Sequence, residues 1–142
     1  MRTPQKLDPN WVAGFASGES CFHVAIFESK TKIGYATRLM FKINQHTRDT
    51  KLIHSLVNFF ECGSITIGSK TPIVHYVVTK FSDITTKIIP FFNKYPIQGI
   101  KSLDYLNFGK AAEIIKSNNH LASSGLEQIK EIKSLMNRGK KL

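Results

Sequence analysis

Hydrophobic and polar positions along this chain follow two periods, one helical and one strand-like, and the switches between them mark out nine elements. Asp8 is a good N-cap, Pro9 follows at the first helical position, and Leu7 and Val12 are placed for a hydrophobic staple. A helix is predicted from Asn10 to about Gly18. Cys21 to Glu28 then alternates, with Phe22, Val24 and Ile26 on one face and His23, Ala25 and Phe27 on the other. After a polar turn, Thr37 to Gln45 alternates again. Leu39, Phe41 and Ile43 point one way, and Arg38, Met40, Lys42 and Asn44 point the other.

Arg48 to Phe60 carries Leu52, Ile53, Leu56, Val57 and Phe60 at helical spacing, with Gly63 as the stop signal. A second strand pair follows. Ser64 to Gly68 puts Ile65 and Ile67 on one face, and Ile73 to Thr79 puts Val74, Tyr76 and Val78 inward and His75, Val77 and Thr79 outward. Ser82 caps a helix that Pro90 is expected to kink or end. Residues Pro96 to Gly99 read as a loop, and Ser102 opens a helix to about Asn118. Ser124 with Glu127 forms a capping box for a last helix ending near Arg138, and the tail 139–142 is expected to fray. The order α-β-β-α-β-β-α-α-α predicts an α+β fold in one domain, 1–142. Its core is a four-stranded antiparallel, saddle-like sheet with helices on one face and a free, basic second face.

Composition is that of a globular domain, with 42% hydrophobic and 21% charged residues. The charge changes the picture: a formal net charge of +10 and a pI near 9.8 point to a polyanionic partner. Apolar runs fall short of the roughly 20 residues a spanning helix needs, and the N-terminal residues show no signal-peptide pattern. No membrane association is expected. Cys21 and Cys62 form no CxxC pair, so free buried thiols are expected rather than a disulfide framework or a zinc site.

The first helix holds the main clue. Gly14 and Gly18 stand four apart, as do Ala13 and Ser17, on a helix with no charge until Glu19. A glycine inside a helix costs about 1 kcal/mol relative to alanine, so a second backbone is expected to come close. That backbone belongs either to a second chain's equivalent helix or to this chain's own sheet. Glu19 is disfavoured by the helix dipole at the C-terminal end. Either a bound cation offsets it, or it is an exposed surface glutamate.

The segment Val12-Ala13-Gly14-Phe15-Ala16-Ser17-Gly18-Glu19-Ser20 resembles the nine-residue motif of LAGLIDADG homing endonucleases. The resemblance continues through Phe41-Lys42-Ile43-Asn44-Gln45-His46 and from Pro90-Phe91-Phe92 to Gly99-Ile100-Lys101-Ser102, and it covers about Leu7 to Arg138. It is closest to the second half of single-chain, two-motif enzymes encoded in fungal mitochondrial introns. The resemblance implies that Glu19 is the acidic metal ligand, with the Gly18 carbonyl beside it. It places Gln45 near the cleavage centre and Lys101 near the scissile phosphate, and it sets Ala13, Gly14, Ser17 and Gly18 at the interface with a second domain. Three positions depart from the pattern: Ser17 in the earlier acidic slot, Ser20 in the final glycine slot, and Asp49 where some members carry a basic residue.

A metal-dependent, site-specific double-stranded DNA endonuclease is therefore expected, using Mg²⁺ or another divalent cation such as Ca²⁺ or Mn²⁺. Two crossing helices would bring two Glu19-type carboxylates together. The partner is a second LAGLIDADG domain, either in a homodimer or as the missing half of a single-chain enzyme. Alternation assigns His23, Ala25, Phe27, Arg38, Met40, Lys42, Ser64, Thr66, His75, Val77 and Thr79 to DNA readout, with Lys30, Lys32 and Lys70 in turns suited to phosphates. A strand of about eight residues spans roughly 27 Å, or about eight base pairs. An intron RNA-splicing maturase and a catalytically silent DNA-binding half remain the alternatives. A mitochondrial location follows from the resemblance alone.

Overall fold

A computed structural model describes residues 7–136. The expected tail 139–142 lies outside them. Asp8 caps α1 (Pro9–Glu19), its Oδ1 accepting from the Asn10 and Trp11 N–H groups at 2.8 and 3.4 Å. There follow β1 (Ser20–Glu28), β2 (Tyr35–His46), a 3₁₀ turn (Thr47–Asp49), α2 (Thr50–Phe60), β3 (Ser64–Ile67) and β4 (Ile73–Val78). Three further helices follow among the described residues: α3 (81–94), α4 (Lys101–Lys116) and α5 (Ser123–Met136). The order of elements is the predicted one.

The strands form a four-stranded sheet in the order β1-β2-β4-β3, with every neighbouring pair antiparallel. The inward row Phe22, Val24, Leu39, Phe41, Ile43, Val74, Tyr76 and Val78 is buried. All five helices pack into the same core, through residues such as Val12, Leu56, Ile88, Phe108 and Ile129. Phe22 sits among four rings, Phe41, Phe92, Tyr105 and Phe108, with centroids 5.1 to 5.8 Å away. Burying one such side chain contributes about 1.5–3 kcal/mol. This cluster fixes α3 and α4 against β1, the strand that leads out of α1.

Pro90 does not end α3, which runs on to Lys94. Ile84–Ile88 form a π turn, closed by the Ile89 N–H on the Ile84 carbonyl. Pro90 then falls in the first turn of the α segment Ile89–Lys94, where its missing N–H costs little. Helix α3 starts at Phe81, so Ser82 lies inside it and not at its cap, and α4 starts at Lys101, one residue before Ser102, because the Gly99–Ile100 turn makes its first bonds. In α5 the Ala122 carbonyl accepts the first helical bond, from Leu126, so Ser124 lies inside the helix and not at its cap. The left-handed residue closing α2 is Glu61 (φ 56°), two positions before Gly63. Strand β3 ends at Ile67 and β4 at Val78, which leaves Gly68 and Thr79 just outside. Neither cysteine is in a disulfide, both are half-buried, and Cys62 lies in the turn after α2. Its Sγ stands 3.8 Å from the Tyr76 hydroxyl, and burial pushes its thiol pKa up.

Candidate nucleic-acid interface and cleavage centre

The two sides of α1 have different surroundings. Val12, Ala13 and Ala16 are buried in this chain's own core. Ser17 belongs to the same side: its hydroxyl donates to the Ala13 carbonyl at 2.8 Å and accepts from the Gln98 N–H at 2.9 Å. Gly14 and Gly18 are exposed, and a Cβ added at either would meet no atom of the described residues within 4 Å. The glycines are therefore not required by packing on this chain's own sheet. Of the four small residues assigned to the partner interface, Gly14 and Gly18 lie on the open side, while Ala13 and Ser17 face inward. Trp11, 44% exposed, flanks the open side and stacks on Phe15 with centroids 5.1 Å apart.

The helix then turns directly into β1. Ser20 is fully buried, and its hydroxyl donates back to the Ala16 carbonyl at 2.5 Å. The serine in the final glycine slot thus closes the helix internally and adds nothing to the open side. Glu19, one residue earlier, is exposed, and its carboxylate makes no hydrogen bond or ion pair among the described residues. Beside it the Lys101 Nζ donates to the Gly18 carbonyl at 3.0 Å. Lys101 is the first residue of α4 and is positioned by the Gly99 turn (φ +77°).

Gln45 lies near the same end of the sheet, two residues beyond Ile43, the pairing partner of Ser20. It shares the inward parity of Ile43, and its Oε1 accepts from the His46 N–H at 3.2 Å. No hydrogen bond joins it to Glu19 or Lys101 among the described residues. Asp49 sits at the start of α2 without a side-chain capping bond.

The outward sheet face is laid out in rows by the strand register. One row runs Cys21, Lys42, Val77, Ser64, and the next runs Asn44, His75, Thr66. Further along β1 come the pairs His23–Met40 and Ala25–Arg38, and then Phe27 opposite Ala36. Every strand residue assigned to readout lies on this face; Thr79 falls just past β4. Lys30, Lys32 and Lys70 are exposed in the turns. Cys21 and Asn44 belong to the face as well, and the same alternation marks them. His75 Nδ1 and Asn44 Oδ1 stand 2.5 Å apart, so the two act as one polar unit. Burial lowers the His75 pKa, and the neighbouring Lys42 charge lowers it further, which keeps the ring neutral near pH 7.

An oxygen-seeking divalent cation fits the end of α1 in part. The Glu19 carboxylate is without a partner, and the Gly18 carbonyl has a second lone pair beside the Lys101 bond. Among the described residues no group of three His, Cys, Asp or Glu side chains stands together. The described residues alone therefore offer fewer oxygen donors there than the six or so that Mg²⁺ or Ca²⁺ takes.

Residues 12–112 match the model of the LAGLIDADG endonuclease family. A probable intron-encoded endonuclease 2 of Neurospora crassa is 45% identical over 125 residues, which cover 88% of this chain and 26% of that protein. The I-SmaMI LAGLIDADG homing endonuclease bound to cleaved DNA superposes with a TM-score of 0.92 at 43% identity, covering 100% of this chain and 48% of its own. The same enzyme bound to an uncleaved DNA target with calcium ions gives 0.93 at 43% identity, covering 96% and 47%. The chain thus spans about half the length of those solved enzymes and about a quarter of the Neurospora protein. On the match over residues 12–112 and these likenesses, the chain belongs to the LAGLIDADG endonuclease family.

Proposed function

We propose that the chain is one half of a site-specific, divalent-metal-dependent double-stranded DNA endonuclease, acting when the Gly14/Gly18 side of α1 docks on the equivalent helix of a second LAGLIDADG domain. The observation that carries this reading is the open glycine side, which ends on an unpartnered Glu19 with Lys101 docked on the adjacent carbonyl. The second domain is another copy of this chain or the other half of a longer protein. The relatives are intron-encoded fungal proteins, which supports action in mitochondria.

Glu19 and the Gly18 carbonyl would hold the cation, Mg²⁺ or Ca²⁺ or Mn²⁺ in its place. When bound, it supplies an acidified water and offsets charge on the phosphate. Lys101 places a positive charge at the end of α1, where transition-state charge on a phosphate would build up. Gln45, at the same end of the sheet, offers an amide to a water or a phosphate oxygen. The outward face lies in the major groove. Lys42 and the Asn44–His75 unit reach base edges, and Lys30, Lys32 and Lys70 reach phosphates.

The test is selection of cut sequences from a random duplex library with Mg²⁺, run with the chain and with Glu19→Gln. Double-strand cuts at a bounded site, lost in Glu19→Gln with binding retained, support the reading. Cutting by Glu19→Gln at the wild-type rate contradicts it.

A further inference from the structure

The sheet face alone does not account for all the positive charge facing β1. On α5, Lys133 lines an open trough of about 460 Å³ together with His23, Ala25, Phe27, Arg38 and Met40. We propose that Arg38 and Lys133 together grip one phosphate of the DNA backbone there, so that α5, and not only the sheet and its turns, holds the duplex. The proposal rests on the DNA-binding reading above.

Four features make this a built site. The floor of the trough is apolar, from Ala25, Phe27 and Met40, and its charges are cationic. The Arg38 guanidinium lies over the Phe27 ring at 5.5 Å, which limits its motion. Lys133 is half-buried, so its methylene stem lies on protein while its ammonium remains free. Among the described residues neither cation is in an ion pair; the recorded pairs are Lys87–Asp83 and Lys130–Glu127. Two like charges lining one trough repel each other unless an anion comes between them.

The scaffold also holds α5 in register with the β1–β2 hairpin. Lys130 Nζ stands over the Tyr35 ring at 5.3 Å, and Tyr35 pairs with Glu28 at the hairpin's end. Leu126, Ile129 and Met136 anchor the inner side of α5 in the core. Gly125 lets the start of α5 approach the Asn119 carbonyl closely. Lys133 is thus fixed three residues beyond an anchored lysine, one helical turn along the same side.

Its position predicts which phosphate. His23 to Phe27 lie four to eight residues past Glu19 along β1, or about 13–26 Å at the strand rise. The gripped phosphate therefore lies roughly four to eight base pairs from the cleavage centre.

The experiment is duplex affinity measured from about 50 to 200 mM salt on a mixed-sequence duplex, for the full chain and for Lys133→Met. The methionine keeps the apolar stem, and a melting curve checks the fold. Lys133→Met should lower the slope of log affinity against log salt by about one, leaving base preference unchanged, and Lys133→Arg should restore the slope. Lys116→Met, at the far end of α4, should leave the slope at the wild-type value. A wild-type slope in Lys133→Met overturns this proposal alone. A wild-type chain without salt-dependent duplex binding overturns it together with the functional reading.

Discussion

Lys101 Nζ donates to the Gly18 carbonyl at 3.0 Å, tying the first residue of α4 to the last turn of α1 across 83 positions of sequence. Lys101 and Glu19 each sit at a helix end that the dipole of their own helix disfavours, an N-terminus and a C-terminus. The contact with Gly18 puts the Lys101 charge where the α1 dipole is negative. The same contact leaves an ammonium within reach of whatever binds Glu19.

Lys101→Met should therefore act on chemistry more than on binding. Single-turnover cleavage should fall by roughly 100-fold or more, the scale for removing one preorganised charge from a transition state. Duplex affinity should change by no more than a few-fold. Equal losses in both would show that Lys101 is a binding group only.

Gly14→Leu separates the fold from assembly. The open space at Gly14 lets the new side chain stand without a clash inside this chain. Removing a helix-interior glycine should raise stability by about 0.5–1 kcal/mol, a rise of about 2–4 °C in Tm. Pairing with a second domain should be lost. A fall in Tm would mean that the glycine side packs on this chain after all.

Gly125→Ala has the opposite sign. The added Cβ would stand 1.8 Å from the Asn119 carbonyl oxygen, so α5 must shift. Urea unfolding should show a loss of about 1–3 kcal/mol. Because α5 carries Lys133, the salt slope of duplex binding should fall as well. A stability change without any change in slope would uncouple α5 from DNA.

Stability should fall as pH drops below about 6.5, the ordinary histidine value. Burial lowers the His120 pKa, and its Nδ1 is buried without a hydrogen-bond partner. Above 6.5 both folded and unfolded forms are neutral, and the contribution is complete. As pH falls, the unfolded chain takes the proton first, and the contribution is lost down to the folded pKa. His75, lowered in the same way, adds to this slope. Melting curves from pH 7.5 to 5 should show the decline, and His120→Gln should reduce it.

The order of elements and the split between sheet faces were legible because alternation and capping are local signals. Asp8, Phe22, Lys42 and Tyr76 announce their roles in strings of a few residues. The side of α1 to which each small residue belongs was not legible. Ala13 and Gly14 are neighbours, and only packing shows that Ala13 faces inward while Gly14 is open. The π turn before Pro90 was hidden because Ile84-Thr85-Thr86-Lys87-Ile88 reads as an ordinary helix. Lys133 was missed because strand alternation says nothing of a helix that docks from elsewhere in the chain.

The central claim is that a second domain covers the open side of α1 and completes the centre at Glu19. It is tested most directly by the mass of the complex on duplex DNA, with cleavage followed in the same sample, for wild type and Gly14→Leu. Two domains per duplex and double-strand cuts for wild type, with both lost in a stably folded Gly14→Leu, are the predicted result. A Gly14→Leu chain that binds as a single domain and still cuts both strands as fast as wild type would contradict the account.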